Sequence, residues 1–183
     1  MHELQEYLEA AGFQPRKAQT DLYEHLIRAD HRGVVSQAGT GTGKSAAVLA
    51  AAAHQARVHG TQSIILTPTL TLMNQYLNGD VPIAREAYPD LLIAELRGRI
   101  HYHCDVSRDN DEVIGLEYRG GCQGGDGGCT ASNWLEGGER EMENPLYRCD
   151  YQAAKAEARL AQIVVTNADM LIVNDRILAG FGG

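Results

Sequence analysis

The stretch Ala38-Gly39-Thr40-Gly41-Thr42-Gly43-Lys44-Ser45 carries the clearest chemical consequence in the chain. Glycines at every second position let successive backbone N–H groups turn inward around an anion. A helix starting at Lys44 adds about half a positive charge at its N-terminus. An ammonium at Lys44 reaches the β- and γ-phosphates of a nucleotide, and a hydroxyl at Ser45 is placed to ligate Mg²⁺. Ala38 stands where the general pattern has its first glycine, a position that requires only a small residue. The bland alternative is a glycine-rich turn ahead of a helix. Context argues against it: Gly33-Val34-Val35-Ser36 reads as a short buried strand just before, and an alanine-rich helix from Lys44 to about Val58 just after.

Two further polar constellations flank this loop. Upstream lies Phe13-Gln14-Pro15-Arg16-Lys17-Ala18-Gln19. A Gln carboxamide donates to N7 and accepts from N6 of adenine, so Gln19 could read that base with two bonds. Taken alone, an exposed helical Gln is the commoner explanation of an R-x-x-Q sequence, and Phe13 serves equally well as a core residue or an adenine platform. Downstream, Thr67-Pro68-Thr69-Leu70 opens another helix, where hydroxyls and N–H groups can hold a sugar-phosphate backbone without net positive charge. The same residues also suit plain helix capping, and both roles can hold at once.

The four cysteines are Cys104, Cys122, Cys129 and Cys149, spaced C-x17-C-x6-C-x19-C. An intracellular setting argues against disulfides and brings metal forward. Four thiolates suit a structural Zn²⁺ or a [4Fe–4S] cluster about equally well on residue chemistry alone. His101 and His103 beside Cys104 are second-choice ligands, because four Cys already complete a site. The run Gly120-Gly121-Cys122-Gln123-Gly124-Gly125-Asp126-Gly127-Gly128-Cys129 is free to wrap a bulky centre and has too little apolar surface to fold without a staple.

These residues need a scaffold, and the surrounding pattern supplies one. Leu4, Leu8 and Ala11 mark a first helix, and Leu22, Leu26 and Ile27 a second. Ser63-Ile64-Ile65-Leu66 is a strand, Leu70 to Leu77 a helix, and Leu91-Leu92-Ile93-Ala94 a third strand. Residues 104–149 lose all periodicity. A helix from Gln152 to Leu160 and a strand over Gln162-Ile163-Val164-Val165-Thr166 then resume it. Strands alternating with helices predict a parallel α/β sheet with a Cys-rich interruption, in a chain of 183 residues that can bury one real core. No apolar run approaches the roughly 18 residues of a membrane span, and the acidic Met1-His2-Glu3-Leu4-Gln5-Glu6 start lacks a secretory pattern, so a reducing cytoplasm is expected. Net charge is −8, which is unexpected for a nucleic-acid protein. From Asp105 to Tyr147, ten carboxylates face three arginines, so almost all of the excess sits in the interruption. A DNA path must avoid that segment, which could instead dock a protein partner.

The flanks of the cysteines resemble a known family. Gly98-Arg99-Ile100-His101-Tyr102-His103-Cys104 is similar to the G-R-x-x-Y-x-C start of the iron–sulfur domain in XPD/DinG-type superfamily 2 DNA helicases, and Cys149-Asp150-Tyr151 followed by Ile163-Val164-Val165-Thr166-Asn167 resembles its far end. Arg16 and Gln19, some 25 residues before the phosphate loop, resemble the adenine-reading Q motif. T-x-T-x-x-L-x-x-Q from Thr67 to Gln75 resembles motif Ia, which touches single-stranded DNA. The likeness runs in order from about Phe13 to Ile172. It implies a RecA-like phosphate-loop motor domain over 1–103 and 150–183, with an iron–sulfur insertion over 104–149. It implies ATP and Mg²⁺ bound by Arg16, Gln19 and Ala38 to Ser45, including Thr40 and Thr42, with Lys44 and Ser45 as the catalytic pair. A [4Fe–4S] cluster on the four Cys, zinc as second choice, and 5′-to-3′ movement on single-stranded DNA complete the expectation. The sequence departs from the family at Asn167-Ala168-Asp169, where Asn-His is usual. It also has no buried strand ending in Asp-Glu to hold Mg²⁺ and activate water. Asp111-Glu112, the only such pair, lies in the polar insertion. The expectation is therefore a fragment or a reduced relative, inactive alone, with a regulatory nucleotide- and metal-binding module as the rival reading.

Overall fold

In the computed structural model, residues 2–10, 12–28, 33–98, 101–102 and 150–173 are described. Three helices lead: α1 (His2–Ala10), α2 (Lys17–Ile27) and α3 (Lys44–His59). Then follow β1 (Ser63–Thr67), α4 (Leu70–Gln75), a wide π-type turn (Tyr76–Asp80), α5 (Val81–Ala87) and β2 (Ile93–Leu96). After the interruption come α6 (Asp150–Leu160), β3 (Ile163–Asn167) and α7 (Ala168–Val173).

The strands form one parallel sheet in the order β1-β3-β2. β3 is central, and its residues Ile163, Val164, Val165 and Thr166 are all buried. That is why it reads as an unbroken apolar run rather than an alternating one. Side chains of period two feed two cores. Ile65, Ile93, Ile163 and Val165 pack with Leu4, Tyr7, Tyr23, Leu49 and Val81 of the leading helices and α5. Ala94, Leu96 and Val164 face the opposite side, against Tyr151, Ala154 and Ala158 of α6 and Met170 of α7. A sheet covered on both faces is the α/β architecture the sequence predicts.

α3 is the spine of the first core. Its alanines 46, 47, 50, 51, 52, 53 and 56 are buried, and their small size lets α2 lie close against it. Gly60, with φ of +64°, ends the helix as its left-handed cap.

Three elements differ from expectation. Gly33-Val34-Val35-Ser36 is not a strand, and Val35 is fully exposed. Two valines give local preference, but a strand exists only where a neighbour takes its N–H and C=O groups. Neither edge of the three-stranded sheet pairs with this segment among the described residues. The helix expected to end at Leu77 continues to Ala87. Pro82 lacks an N–H and crowds the carbonyl four residues back. The turn before it widens, and Val81 N–H bonds to Tyr76 O five residues back instead. β2 lies two residues later than the apolar run suggests, because pairing of Ile93 with Ile163 sets its register and exposed Glu95 disguises its end.

Candidate phosphate-loop site and strand-end cluster

The loop from Ala38 to Gly43 is shaped by its glycines. Gly41 and Gly43 have φ of +73° and +77°, a left-handed geometry that other residues adopt only at a cost. Thr42 Oγ1 donates to Gly39 O at 2.9 Å and closes the turn. Thr40 is exposed at its tip. Gly43 is the residue before α3, so Lys44 and Ser45 occupy its first turn. The Lys44 ammonium folds back onto the loop, donating to Ala38 O at 2.9 Å and Gly39 O at 2.6 Å. An ammonium resting on two carbonyl oxygens at the start of α3 is suited to an anionic ligand. The loop and its lysine therefore fit the phosphates of a nucleotide.

Arg16 and Gln19 meet this loop from α2. Arg16 Nη1 donates to Gly41 O at 2.6 Å. Gln19 is buried, its Nε2 donating to Gly43 O at 3.2 Å and its Oε1 accepting from the N–H of Arg16 at 2.9 Å. A side chain on Gly43 would collide with that carboxamide. Phe13 is exposed rather than part of the core.

Asp80, on the wide turn, also reaches this corner. Burial raises its carboxyl above the usual range, and a hydrogen bond with the Ser45 hydroxyl partly opposes that. The Tyr7 hydroxyl lies 3.4 Å from Asp80 O. Burial foremost, then the charge of Asp80, pushes the Tyr76 phenol up to about 12 and that of Tyr7 higher still, where Tyr88 and Tyr76 add to it. Sequence reasoning gave no hint of Asp80, since only the fold of the turn brings it near Ser45.

At the carboxyl ends of the strands lies a second polar group. Thr67 is buried, and its hydroxyl donates to Thr69 O at 3.1 Å and Thr166 O at 3.3 Å. Thr69 is exposed and caps α4 by accepting from Leu72 N–H at 3.2 Å. Arg97 follows β2 and bonds Asn74 and Glu95 at 2.8 and 3.0 Å. No local sequence signal marks Arg97, because its partner Asn74 lies 23 positions away. Among the described residues no three His, Cys, Asp or Glu side chains converge on a metal position. Cys104, Cys122, Cys129 and Cys149, the expected cluster ligands, lie outside the described residues, as does His103.

Comparison with known proteins bears on what this corner is. The DEAD/DEAH box helicase family matches residues 16–79, the span from Arg16 through the loop to the wide turn. An ATP-dependent DNA helicase DinG of Photobacterium profundum is 33% identical over 119 residues, covering 57% of this chain and 17% of that protein. Residues 16–79 thus match the DEAD/DEAH box helicases, and the chain is similar in part to DNA helicases of the XPD/DinG type. The ATP-dependent DNA helicase YoaA of Haemophilus influenzae is 38% identical over 96 residues, covering 51% of this chain and 14% of the relative. The chain thus spans a small part of the length of the relatives it matches. Among the described residues, no helix is long and apolar enough to cross a membrane.

Proposed function

We propose that this chain is the ATP-binding part of an ATP-dependent motor that moves 5′ to 3′ on single-stranded DNA, with a RecA-like domain over 1–103 and 150–183 and an iron–sulfur insertion over 104–149. The observation that carries the reading is the loop itself: left-handed Gly41 and Gly43 leading into α3, with the Lys44 ammonium folded onto Ala38 O and Gly39 O. Lys44 exchanges those carbonyls for the β- and γ-phosphates, and the Ser45 hydroxyl turns to Mg²⁺. The backbone of Gly39, Thr40, Gly41, Thr42 and Gly43 donates to the phosphate oxygens. Arg16 and Gln19 hold the adenine side. Gln19 reads the base by giving up its bond to Gly43 O, so the base and the loop share one carboxamide. Exposed Thr69 meets the DNA backbone, and buried Thr67 holds it in place through its own hydroxyl.

Four thiolates at Cys104, Cys122, Cys129 and Cys149 fit a [4Fe–4S] cluster, which ties the insertion together, and zinc is the second fit for the same donors. Such thiolates require a reducing compartment, in keeping with the cytoplasm. The ten carboxylates between Asp105 and Tyr147 favour a second use for that insertion, as a docking surface for a basic protein partner. A motor couples nucleotide to its track. The test is therefore the affinity of a fluorescein-labelled twenty-residue oligo-dT with and without a saturating non-hydrolysable ATP analogue and Mg²⁺. A shift in DNA affinity of several-fold, absent in Lys44→Ala, is the expected result. DNA binding indifferent to nucleotide in both proteins would favour the regulatory module instead.

A further inference from the structure

The three strands end side by side. Register pairs Thr67 with Asn167 and Leu96 with Thr166, so Arg97 follows alongside Asn167 one step beyond the Leu96–Thr166 pair. The backbone of this row is tightly fixed. Thr166 Oγ1 donates to Leu96 O at 2.6 Å, Thr67 Oγ1 donates to Thr166 O, and Arg97 N–H donates to the Tyr102 hydroxyl at 2.9 Å. Arg97 Nη2 is oriented by Asn74 of α4 at 2.8 Å and by the Glu95 carboxylate at 3.0 Å.

Two side-chain atoms in this row, Arg97 Nε and Asn167 Oδ1, are buried and have no partner among the described residues. Buried polar atoms are almost always paired, and two orphans on adjacent strand ends call for an explanation. They lie at the carboxyl ends of a parallel sheet, the place where open α/β sheets take their ligands. Exposed Thr69 follows β1 at the same carboxyl end of the sheet, two residues past the Thr67–Asn167 pair.

We infer that Arg97 and Asn167 form a phosphate subsite for the backbone of single-stranded DNA, continuing across the strand ends from Thr69; this rests on the reading of the chain as part of a DNA motor. The guanidinium offers Nε–H and an Nη–H as a planar pair to two oxygens of one phosphodiester. The Asn167 carboxamide turns end for end to present Nδ2–H where Oδ1 now stands. Glu95 holds the guanidinium in the free chain, and phosphate takes its place when DNA arrives. Asn74 keeps the plane in both states.

The experiment is fluorescence anisotropy of labelled oligo-dT against the full chain over a range of salt, with Mg-ATP affinity measured on the same samples. Arg97→Ala should weaken DNA binding about tenfold or more. It should also lessen the log affinity against log salt slope by about 0.7, the share of one phosphate on a single strand. Arg97→Lys should keep the slope and lose part of the affinity, because the charge remains and the planar pair does not. Asn167→Asp, which sets a carboxylate against the phosphate, should weaken DNA binding as well. All three should leave Mg-ATP affinity unchanged. Should Arg97→Ala fail to fold by thermal melting, the other two variants decide. Unchanged DNA affinity and slope in folded Arg97→Lys and Asn167→Asp overturn the subsite while the motor reading stands. A loss of Mg-ATP affinity instead would assign these groups to nucleotide phosphate and also overturn it. Wild-type protein that ignores oligo-dT at low salt would mean that the motor reading has failed, and the subsite with it.

Discussion

Replacing Gly43 with Ala probes how the adenine side is joined to the phosphate loop. Gly43 sits at φ of +77°, and an L side chain in that region costs about 1–2 kcal/mol. A Cβ there also collides with the Gln19 carboxamide, which must leave its bonds to Gly43 O and Arg16 N–H. Each is worth about 0.5–1.5 kcal/mol, so Gly43→Ala should lose about 2–5 kcal/mol in all. Gln19→Ala alone gives up the same two bonds, about 1–3 kcal/mol. In a Gln19→Ala background the collision is gone and only the backbone cost of Gly43→Ala remains. The double-mutant cycle should therefore be non-additive by about 1–3 kcal/mol, read from equilibrium urea denaturation. Gln19→Ala should also blunt the preference for ATP over GTP. The coupling is refuted if Gly43→Ala costs the same in both backgrounds, or costs less than about 1 kcal/mol in the first.

Protein purified without oxygen should be brown and contain iron and acid-labile sulfide, with both lost in Cys122→Ser; a colourless protein holding one zinc per chain would contradict this. Stability should fall as pH rises above about 10, because unfolded tyrosines release protons there while Tyr76 keeps its own up to about 12 and Tyr7 beyond that. The folded state binds the extra protons in that window, so the urea midpoint should drop between pH 9 and 11, and less so in Tyr76→Phe. The 183 residues alone should hydrolyse ATP near background with or without single-stranded DNA, since no Asp-Glu stands on a strand among the described residues and an arginine finger alone can be worth about 10³–10⁵ in rate. Robust DNA-stimulated phosphate release would point to a substitute carboxylate such as Asp169.

The elements most legible in the sequence were those specified locally. α3 begins at Lys44 because the glycines before it cannot continue a helix, and it ends at Gly60 for the same reason. β3 announces itself as Ile163-Val164-Val165 because both of its faces are covered. The elements misjudged depend on distant partners. Val34-Val35 carries strand preference without a paired edge, Pro82 reshapes a helix from beyond its expected end, and β2 takes its register from β3. The same division runs through the site. The loop residues could be named from spacing, whereas the contacts of Asp80 with Ser45 and of Arg97 with Asn74 join residues 35 and 23 positions apart, and no local pattern marks them.

The central claim is that Ala38 to Ser45 hold the phosphates of Mg-ATP, with Lys44 supplying the charge. Isothermal titration of Mg-ATP and of adenosine into the wild-type chain and into Lys44→Ala tests it most directly. One saturable Mg-ATP site per chain should weaken about tenfold or more in Lys44→Ala, because a charged hydrogen bond to phosphate is lost, while adenosine binding stays the same. Equal Mg-ATP affinity in the two proteins would contradict the account.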